Sequence, residues 1–404
     1  MRILQVVPQV PYPLVDGGKI GIFNITRSLA ERGHTITMLA LDRTPGCDYE
    51  EVRRYCSLVT VPHSTRNTIS GAIRNLASPL PYNVSKYRSR VFDAALSIAL
   101  QKDRFDVVHV DHLHMAEYGL RARDAAGIPA VLREHNLESV IMERYAGIRV
   151  NPLMRAYLRH QAVKIRRHEG CMLRQFDCCC MITEADAERA RRLEPSVRVR
   201  TIPAGVDDSF FEEIVPAGDK VPDSVAFVGG LDWIPNRDAV RWFADSVWPL
   251  VKQAVPPAKF VIIGKNPTAE IRALACESVV VMGFVPELRS ELPRYAVSVA
   301  PFRVGGGLRL KIIESFALRV PVVSTSVGCE GIPAEHERHL LIEDSAQGFA
   351  SAVVRVLREE AFRASLAREA FQLASASYRW SSVAGGFEQA YEHAITVFRG
   401  RAGG

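Results

Sequence analysis

The chain has 404 residues, of which 48% are hydrophobic and 24% charged. That composition supports a sizeable core and excludes a disordered chain, and the length implies two domains at roughly 100–200 residues each. A net charge of +6 suits anionic substrates or an acidic membrane surface, and is too small by itself to argue for nucleic acid.

The N-terminal MRILQVVPQVPYPL lacks the order of a signal peptide and reads instead as a buried strand from Ile3 to Val7. No apolar run approaches the ~18–20 residues of a membrane-spanning helix, so the expected location is cytoplasmic. A loop ending Asp16-Gly17-Gly18-Lys19 leads to a helix over Ile20–Arg32, stopped at Gly33, and TITMLAL is the next strand. Residues 45–105 carry little signal. Asp106–Val110 and Ala130–His135 are short apolar runs with polar borders, as buried parallel strands are. CCCMI and RVRTIPA follow. Cys178, Cys179 and Cys180 are consecutive, so strand geometry turns them to opposite faces, and C-x-x-C does not occur; buried free thiols are expected rather than disulfides or zinc. VPAGDKVPD (Val215–Asp223) then joins the first series to a second: SVAFVGG, a helix over Arg237–Val251, KFVIIG, VVVMG, VSVAP, a helix over Leu308–Leu318, and PVVST. This alternation predicts an α/β protein of two doubly wound sheets. The domains are drawn at 1–203 and 204–380, with a terminal helix over 381–404 packing back towards the first.

Ligands of such sheets bind beyond the carboxyl ends of the strands. Gly17 and Gly18 would let a backbone approach a ligand at a helix N-terminus, although a plain loop-to-helix turn fits equally. A dinucleotide fingerprint with Asp42 on the ribose fails, because about ten residues separate the strand from the glycines. Asp111-His112-Leu113-His114 and Arg133-Glu134-His135-Asn136 put histidines after two neighbouring strands; His112 and His135 are the better candidates for function. No helical His/Glu spacing supports a metal. From Pro301 to Ser326 the chain reads PFRVGGGLRLKIIESFALRVPVVSTS. Gly305, Gly306 and Gly307 before a helix, with Arg309 and Lys311, make an anion site. Arg309 and Lys311 are two residues apart and do not share a helix face, which would put one at a phosphate and the other in solvent.

GGGLRLKIIESFALRVPVVSTSVGCEGI resembles the donor-binding segment of family 4 retaining glycosyltransferases, which have the GT-B fold. TIPAGVD, FVGGLDWIPNRDAVRWF, FVIIGKNP and VMGFVPEL fall in that family's order, as do RGHTITML and RWSSVAGGFEQAY. The resemblance implies two Rossmann-like domains facing across a cleft, the first on the acceptor side and the second binding a UDP- or GDP-sugar. It implies transfer without cofactor or metal to a glycan or lipid-linked acceptor, in a branch similar to surface- and exopolysaccharide enzymes. It places Glu314 on the nucleotide ribose as the second Glu of a Glu-x7-Glu motif; Gly306 stands where the first would be. It places Gly230, Gly283, Phe284, the three glycines 305–307 and Leu308 around the donor. The family's Arg and Lys after SVAFVGG are absent here, where Gly230 and Asn236-Arg237 stand, so Arg309 and Lys311 are expected to supply those charges. The leaving phosphate is then expected to take the acceptor proton, with His112 and His135 orienting sugar or acceptor. A scaffold subunit of a polysaccharide assembly and a sugar-nucleotide epimerase are the alternatives. Nucleic-acid binding is disfavoured, since the cations are dispersed. From Arg144 to Gln175 eight cations, namely Arg144, Arg149, Arg155, Arg159, Lys164, Arg166, Arg167 and Arg174, face one acid, Glu169. That stretch suits an anionic membrane at the inner face of the plasma membrane, or a solvated helix with its apolar face on its own core.

Overall fold

In a computed structural model, β1 (Arg2–Val7) is buried at every position from Ile3 to Val7. Side chains on both faces of a strand can be buried only where helices cover both sides of the sheet, as in parallel α/β architecture. The structure describes residues 1–14, 17–43, 46–147, 152–212, 216, 218–304 and 307–402, excepting the side chains of residues 144–147, 152 and 402. Asp16, Arg149, Val215, Gly305 and Gly306, all singled out in the sequence, lie outside the described residues, as does the side chain of Arg144.

The described residues form two units, one of Met1–Pro203 with Val383–Gly404 and the other of Ala204–Ser382. In the first, β1, β2 (Thr35–Asp42), β3 (Ser57–Pro62), β4 (Val107–Asp111), β5 (Ala130–Glu134), β6 (Cys178–Met181) and β7 (Val199–Thr201) are parallel, in the order β3-β2-β1-β4-β5-β6-β7. The order reverses between β1 and β4. Helix α1 (Gly17–Glu31) follows β1, α2 (Ile69–Asn75) follows β3, and α3 (Pro152–Gln175) precedes β6. In the second unit, β8 (Val221–Val228), β9 (Lys259–Ile263), β10 (Val279–Gly283), β11 (Tyr295–Ala300), β12 (Val322–Ser324) and β13 (Leu341–Ile342) run parallel as β10-β9-β8-β11-β12-β13. Its reversal lies between β8 and β11. Helix α4 (Ile234–Trp242) follows β8 and α5 (Leu310–Ala317) follows β11. At such reversals neighbouring crossovers leave on opposite faces, and a crevice opens at the carboxyl edge.

The final helix, α6 (Trp380–Ala402), gives the first unit its closing layer from Val383 onward. Tyr391 is fully buried and its hydroxyl lies 2.7 Å from Nδ1 of His109, while Glu388 accepts from Arg32 at 2.6 Å and meets His34 at 2.8 Å.

Three elements differ from expectation. The helix expected over Arg237–Val251 starts at Ile234, with Pro235 in its first turn, and widens to a π turn over Phe243–Val247. Pro249 lacks an N–H and its ring crowds the carbonyl four residues back, and the wider turn absorbs this. The helix expected from Leu308 begins at Leu310, because Arg309 (φ −87°, ψ 84°) is not helical. Residues 45–105 hold β3 and several short helices. All eight cysteines are free thiols: Cys178, Cys179 and Cys180 are buried in β6, while Cys47, Cys171 and Cys276 are exposed.

Candidate functional site

Two clusters sit at the two reversals, and each is built within its own unit. In the first unit, β4 ends in Asp111, which is fully buried. Arg133 of β5 donates to its Oδ1 at 2.8 Å, His109 Nε2 lies 3.1 Å from Oδ2, and Gln5 donates to Oδ2 at 3.4 Å. Burial alone would raise the Asp111 carboxyl. The charges of His109 and Arg133, with hydrogen bonds from His109 and His135, outweigh it and hold the group well below the ordinary carboxylate range. Arg133 also meets Nε2 of His135. Its guanidinium passes so close to α1 that a Cβ on Gly21 would lie 3.0 Å from Nη2, so this glycine makes room for the cation.

On this ion pair rest the two predicted histidines. His112 follows Asp111 with φ +67°, a left-handed conformation strained for a side chain of its size, and its N–H donates to the Arg133 carbonyl at 2.8 Å. Its ring lies 4.0 Å from that of His135. Burial, and then the charge of His135, keep the His112 imidazole well below its ordinary value, so the ring is neutral at neutral pH. His114 stacks on Tyr87 at 4.6 Å and is pushed down to about 3, chiefly by burial. The same unit holds three carboxyls close together, Glu134 and Glu169 buried and Glu138 half-buried. Glu134 is 1% exposed, and burial and then the neighbouring Glu169 raise it well above the carboxylate range. Burial raises Glu138 and Glu169 each to about 7, and Glu169 accepts from Ser139 Oγ and from the Glu138 amide.

Gly17 opens α1 with no atom within 4 Å of where its Cβ would stand, and Gly18 follows inside the helix. Asp42 accepts from the Tyr49 hydroxyl at 2.8 Å, a packing role.

In the second unit, Lys311 on the first turn of α5 reaches back to the carboxyl end of β8. Its ammonium donates to Asn236 Oδ1 at 3.0 Å, and Asn236 Nδ2 donates to the Gly230 carbonyl at 2.7 Å. A Cβ on Gly229 would lie 2.5 Å from Lys311 Nζ, whereas one on Gly230 would lie 3.1 Å from Asp232 Oδ1 and at ordinary contact distance from Lys265. Gly229, not singled out in the sequence, is therefore the glycine that admits the cation. Arg309 is 5% exposed, with its guanidinium 4.7 Å from the Phe302 ring and 5.5 Å from that of Trp233; Lys311 Nζ lies 4.8 Å from Phe302 and 5.1 Å from Phe227. The expectation that one of the two cations is solvated is incorrect. Arg309 precedes the helix, so helical spacing does not separate it from Lys311, and both charges collect against one aromatic ring. Burial, and then Arg309, lower Lys311 to about 7.

Glu314, one turn on from Lys311, is raised by burial while Lys311 pulls it down, and its carboxylate has no hydrogen bond or ion pair among the described residues. Gly307 has φ +85° and Gly283, at the end of β10, φ +78°; both conformations favour glycine. Leu308 packs against the core of its unit, and Phe284 is 69% exposed. Among the described residues no group of three or more His, Cys, Asp or Glu could hold a metal ion. No described helix is long and apolar enough to cross a membrane.

Comparison with known proteins bears on both units. The model for Glycosyltransferase Family 4 matches residues 15–210, and that for Glycosyl transferases group 1 matches residues 222–359. A relative from Klebsiella pneumoniae, described as an uncharacterized 44.6 kDa protein in the cps region, is 23% identical over 393 residues, covering 93% of this chain and 96% of its own. Sucrose-phosphate synthase from Thermosynechococcus elongatus has a similar fold, with TM-score 0.70 and 17% identity over 98% of this chain and 100% of its own. Anabaena Alr3699/HepE, solved in complex with UDP-glucose, gives TM-score 0.61 and 13% identity over 97% of this chain and 99% of its own. These structures share the GT-B architecture of two parallel sheets with interleaved helices.

Proposed function

The chain belongs to the glycosyltransferases of family 4 and group 1, and from that premise we propose that it moves a sugar from a UDP- or GDP-sugar to a glycan or lipid-linked acceptor, with retention at the anomeric carbon and without a metal. The observation that carries this reading is the Lys311–Asn236–Gly229 arrangement, with Arg309 beside it, at the carboxyl ends of β8 and β11. Cleaving the anomeric bond leaves its electron pair on the diphosphate, so fixed positive charge at that group lowers the barrier. Two cations packed against Phe302 provide it where the family's usual Arg and Lys are missing. Glu314 is suited to the ribose hydroxyls, since its carboxylate lies one turn from Lys311 and is engaged by no hydrogen bond or ion pair among the described residues. The acceptor oxygen bonds to the anomeric carbon on the face the phosphate leaves, and its proton passes to the departing phosphate oxygen. That route needs no carboxylate nucleophile. It suits a neutral His112, paired with His135, as a hydrogen-bonding guide for sugar or acceptor.

The relative in a cps region supports a role in surface or exopolysaccharide synthesis. A peripheral membrane location is part of the same reading and is supported by exposed apolar residues on α2 and α3.

A thermal-shift screen against nucleoside diphosphates and sugar nucleotides tests the proposal, because a ligand held only by the folded state raises apparent stability. At least one nucleotide should raise the melting temperature. Glu314→Gln should weaken its binding about tenfold, as expected for a charged hydrogen bond of roughly 1.5–3 kcal/mol. A chain indifferent to every nucleotide is not a transferase of this type.

A further inference from the structure

We infer that the first unit carries an anion site of its own, at the carboxyl ends of β2 and β3, which takes the phosphate of a phosphorylated acceptor. The word acceptor rests on the transferase reading; the anion site does not. A cavity of about 610 Å³ opens there between Asp42–Arg43 at the end of β2 and the loop His63–Asn67 after β3. Arg43 and Arg66 line it, and Lys86 stands beside it, bonded to the lining residue Asn67. Arg43 lies 5.4 Å and Lys86 5.7 Å from the centre of Tyr87. Neutral groups fix both: Arg43 donates to the Tyr87 hydroxyl at 2.8 Å and to the Pro8 carbonyl at 3.3 Å, and Lys86 donates to Asn67 Oδ1 at 3.0 Å. His63 is held by the Lys86 carbonyl at 2.9 Å. Arg66 stands exposed on the loop.

Among the described residues, none of Arg43, Arg66 and Lys86 pairs with a carboxylate, although Arg32, Arg88 and Arg121 of the same unit all do. Asp42, the one acid of the wall, is buried and engaged by Tyr49. Glu138 acts on Lys86 only from beyond ion-pairing distance. Arg43 and Lys86, held close together by neutral partners, repel one another until an anion joins them, and Arg66 on the cavity wall adds a third charge. A single carboxylate is satisfied by one guanidinium; three cations with the hydroxyls of Ser64 and Thr65 match the charge and oxygen count of a phosphate or diphosphate.

From the cavity's edge a row of rings leads to the histidine pair. Tyr87, which carries the two cations, stacks on His114 at 4.6 Å; His114 lies 6.1 Å from His112, and His112 4.0 Å from His135. An acceptor anchored by its phosphate between β2 and β3 would extend along this row of rings towards His112. On the other side, Asn67 is followed by the Thr68 cap of α2, where Ile69 and Ile73 are 83% and 63% exposed. The phosphate can therefore belong to a free phosphate ester or to a lipid whose chain lies on α2.

The test is calorimetric titration of the full chain with inorganic pyrophosphate, in a Lys311→Ala background so that the second unit does not contribute. Arg43→Gln with Lys86→Gln should weaken pyrophosphate binding by roughly a hundredfold, and Arg66→Gln alone by roughly tenfold, on one charged hydrogen bond lost per residue. Arg66 is exposed and makes no hydrogen bond among the described residues, so its variant stays folded and keeps the test valid if the double variant does not. Isotherms unchanged in these variants overturn the site. A second arm uses phosphatidylcholine vesicles doped with phosphatidic acid. Loss of vesicle capture in Arg66→Gln assigns the phosphate to a lipid; unchanged capture with weakened pyrophosphate binding assigns it to a soluble ester. The transferase reading fails on a different result, a chain that binds no nucleotide, which leaves the pyrophosphate titration untouched.

Discussion

The Lys311 ammonium sits 3.0 Å from Asn236 Oδ1 in a space that exists because Gly229 has no side chain. A cation from the helix after β11 is thereby delivered to the end of β8. The sequence pattern that removes a basic residue after β8 and the one that adds a basic residue to α5 are thus two halves of one arrangement.

Gly229→Ala separates that arrangement from the fold. The new methyl would meet Lys311 Nζ at 2.5 Å and Asn236 Nδ2 at 2.9 Å, so both ends of the Lys311–Asn236 hydrogen bond must shift while the backbone stays. Melting temperature should change little, and nucleoside-diphosphate affinity should fall about tenfold, the worth of one charged hydrogen bond. Gly230→Ala is the control. Its Cβ would meet the side chains of Asp232 and Lys265 and not Lys311, and binding should hold within about twofold. Equal effects of the two substitutions would show that Lys311 does not depend on Gly229.

Lys311 also makes binding depend on pH. Burial and Arg309 bring it down to about 7, and a bound diphosphate would draw it back up. Binding then takes up a proton once pH exceeds about 7, so the dissociation constant should rise by up to about tenfold per pH unit between about pH 7 and 9. The folded value lies below the unfolded one of 10.5, so the unfolded chain holds more protons between about 7 and 10.5 and this lysine's contribution to stability rises with pH across that window. Lys311→Met should therefore raise the melting temperature most at pH below about 7, while binding is lost. An affinity independent of pH, measured with a nucleotide whose own phosphate titration is subtracted, would remove Lys311 from the phosphate.

Much of this was legible in the chain itself, and the gaps have physical causes. The apolar runs that became β1, β4, β5 and β8 read correctly because parallel strands buried on both faces leave continuous apolar segments. Ser57–Pro62 also forms such a strand, but with only Leu58 and Val61 buried it makes a weaker pattern at the sheet edge. Leu341–Ile342 is too short to read as a strand. The Gly-rich loop with Arg309 and Lys311 stood out because clustered cations after a strand are rare. Gly229 and Gly21 did not, and Asn236 was noticed only as standing where the family's cation is missing. Their roles depend on which distant side chain lies against them, and a glycine after a strand looks the same whether it admits a lysine or merely turns. Asp111 was noticed only as a neighbour of His112; its ion pair with Arg133 crosses between adjacent strands and leaves no spacing to read.

The buried carboxyls of the first unit predict a second pH effect, on stability. Glu134, Glu138 and Glu169 are all raised by burial, Glu138 and Glu169 to about 7. For such groups the folded chain holds protons that the unfolded chain releases from about pH 4.5 upward. Their stabilising contribution is full below about pH 4.5 and is lost as pH rises through about 7. Glu134→Gln keeps the shape and removes one charge, and should flatten the decline in stability from about pH 5 to 8. An unchanged slope in denaturant midpoints over that range would show that these carboxyls ionise freely in the folded chain.

The proposed membrane association is the remaining prediction, and the exposed residues narrow where it could occur. Of the cations between Arg144 and Gln175, Lys164 is unavailable: it is 9% exposed and donates to the Asn75 and Leu76 carbonyls at 2.7 and 3.3 Å, tying α3 to α2. Arg174 pairs with Glu194 and Arg166 with Glu143. Arg159 and Arg167 remain exposed. On the same helix Leu153 is 85% and Val163 51% exposed, and on α2 Ile69 and Ile73 are exposed as well. An interfacial helix uses exposed apolar side chains and arginines together. The full chain should pellet with vesicles containing anionic lipid at low salt and be released as salt shortens the screening length. Leu153→Ser with Ile69→Ser should cut capture about tenfold without loss of stability, since both residues are exposed. Equal pelleting with neutral vesicles would mean the arginines play no part, and a chain that stays in the supernatant at low salt would mean that these apolar faces meet something other than lipid.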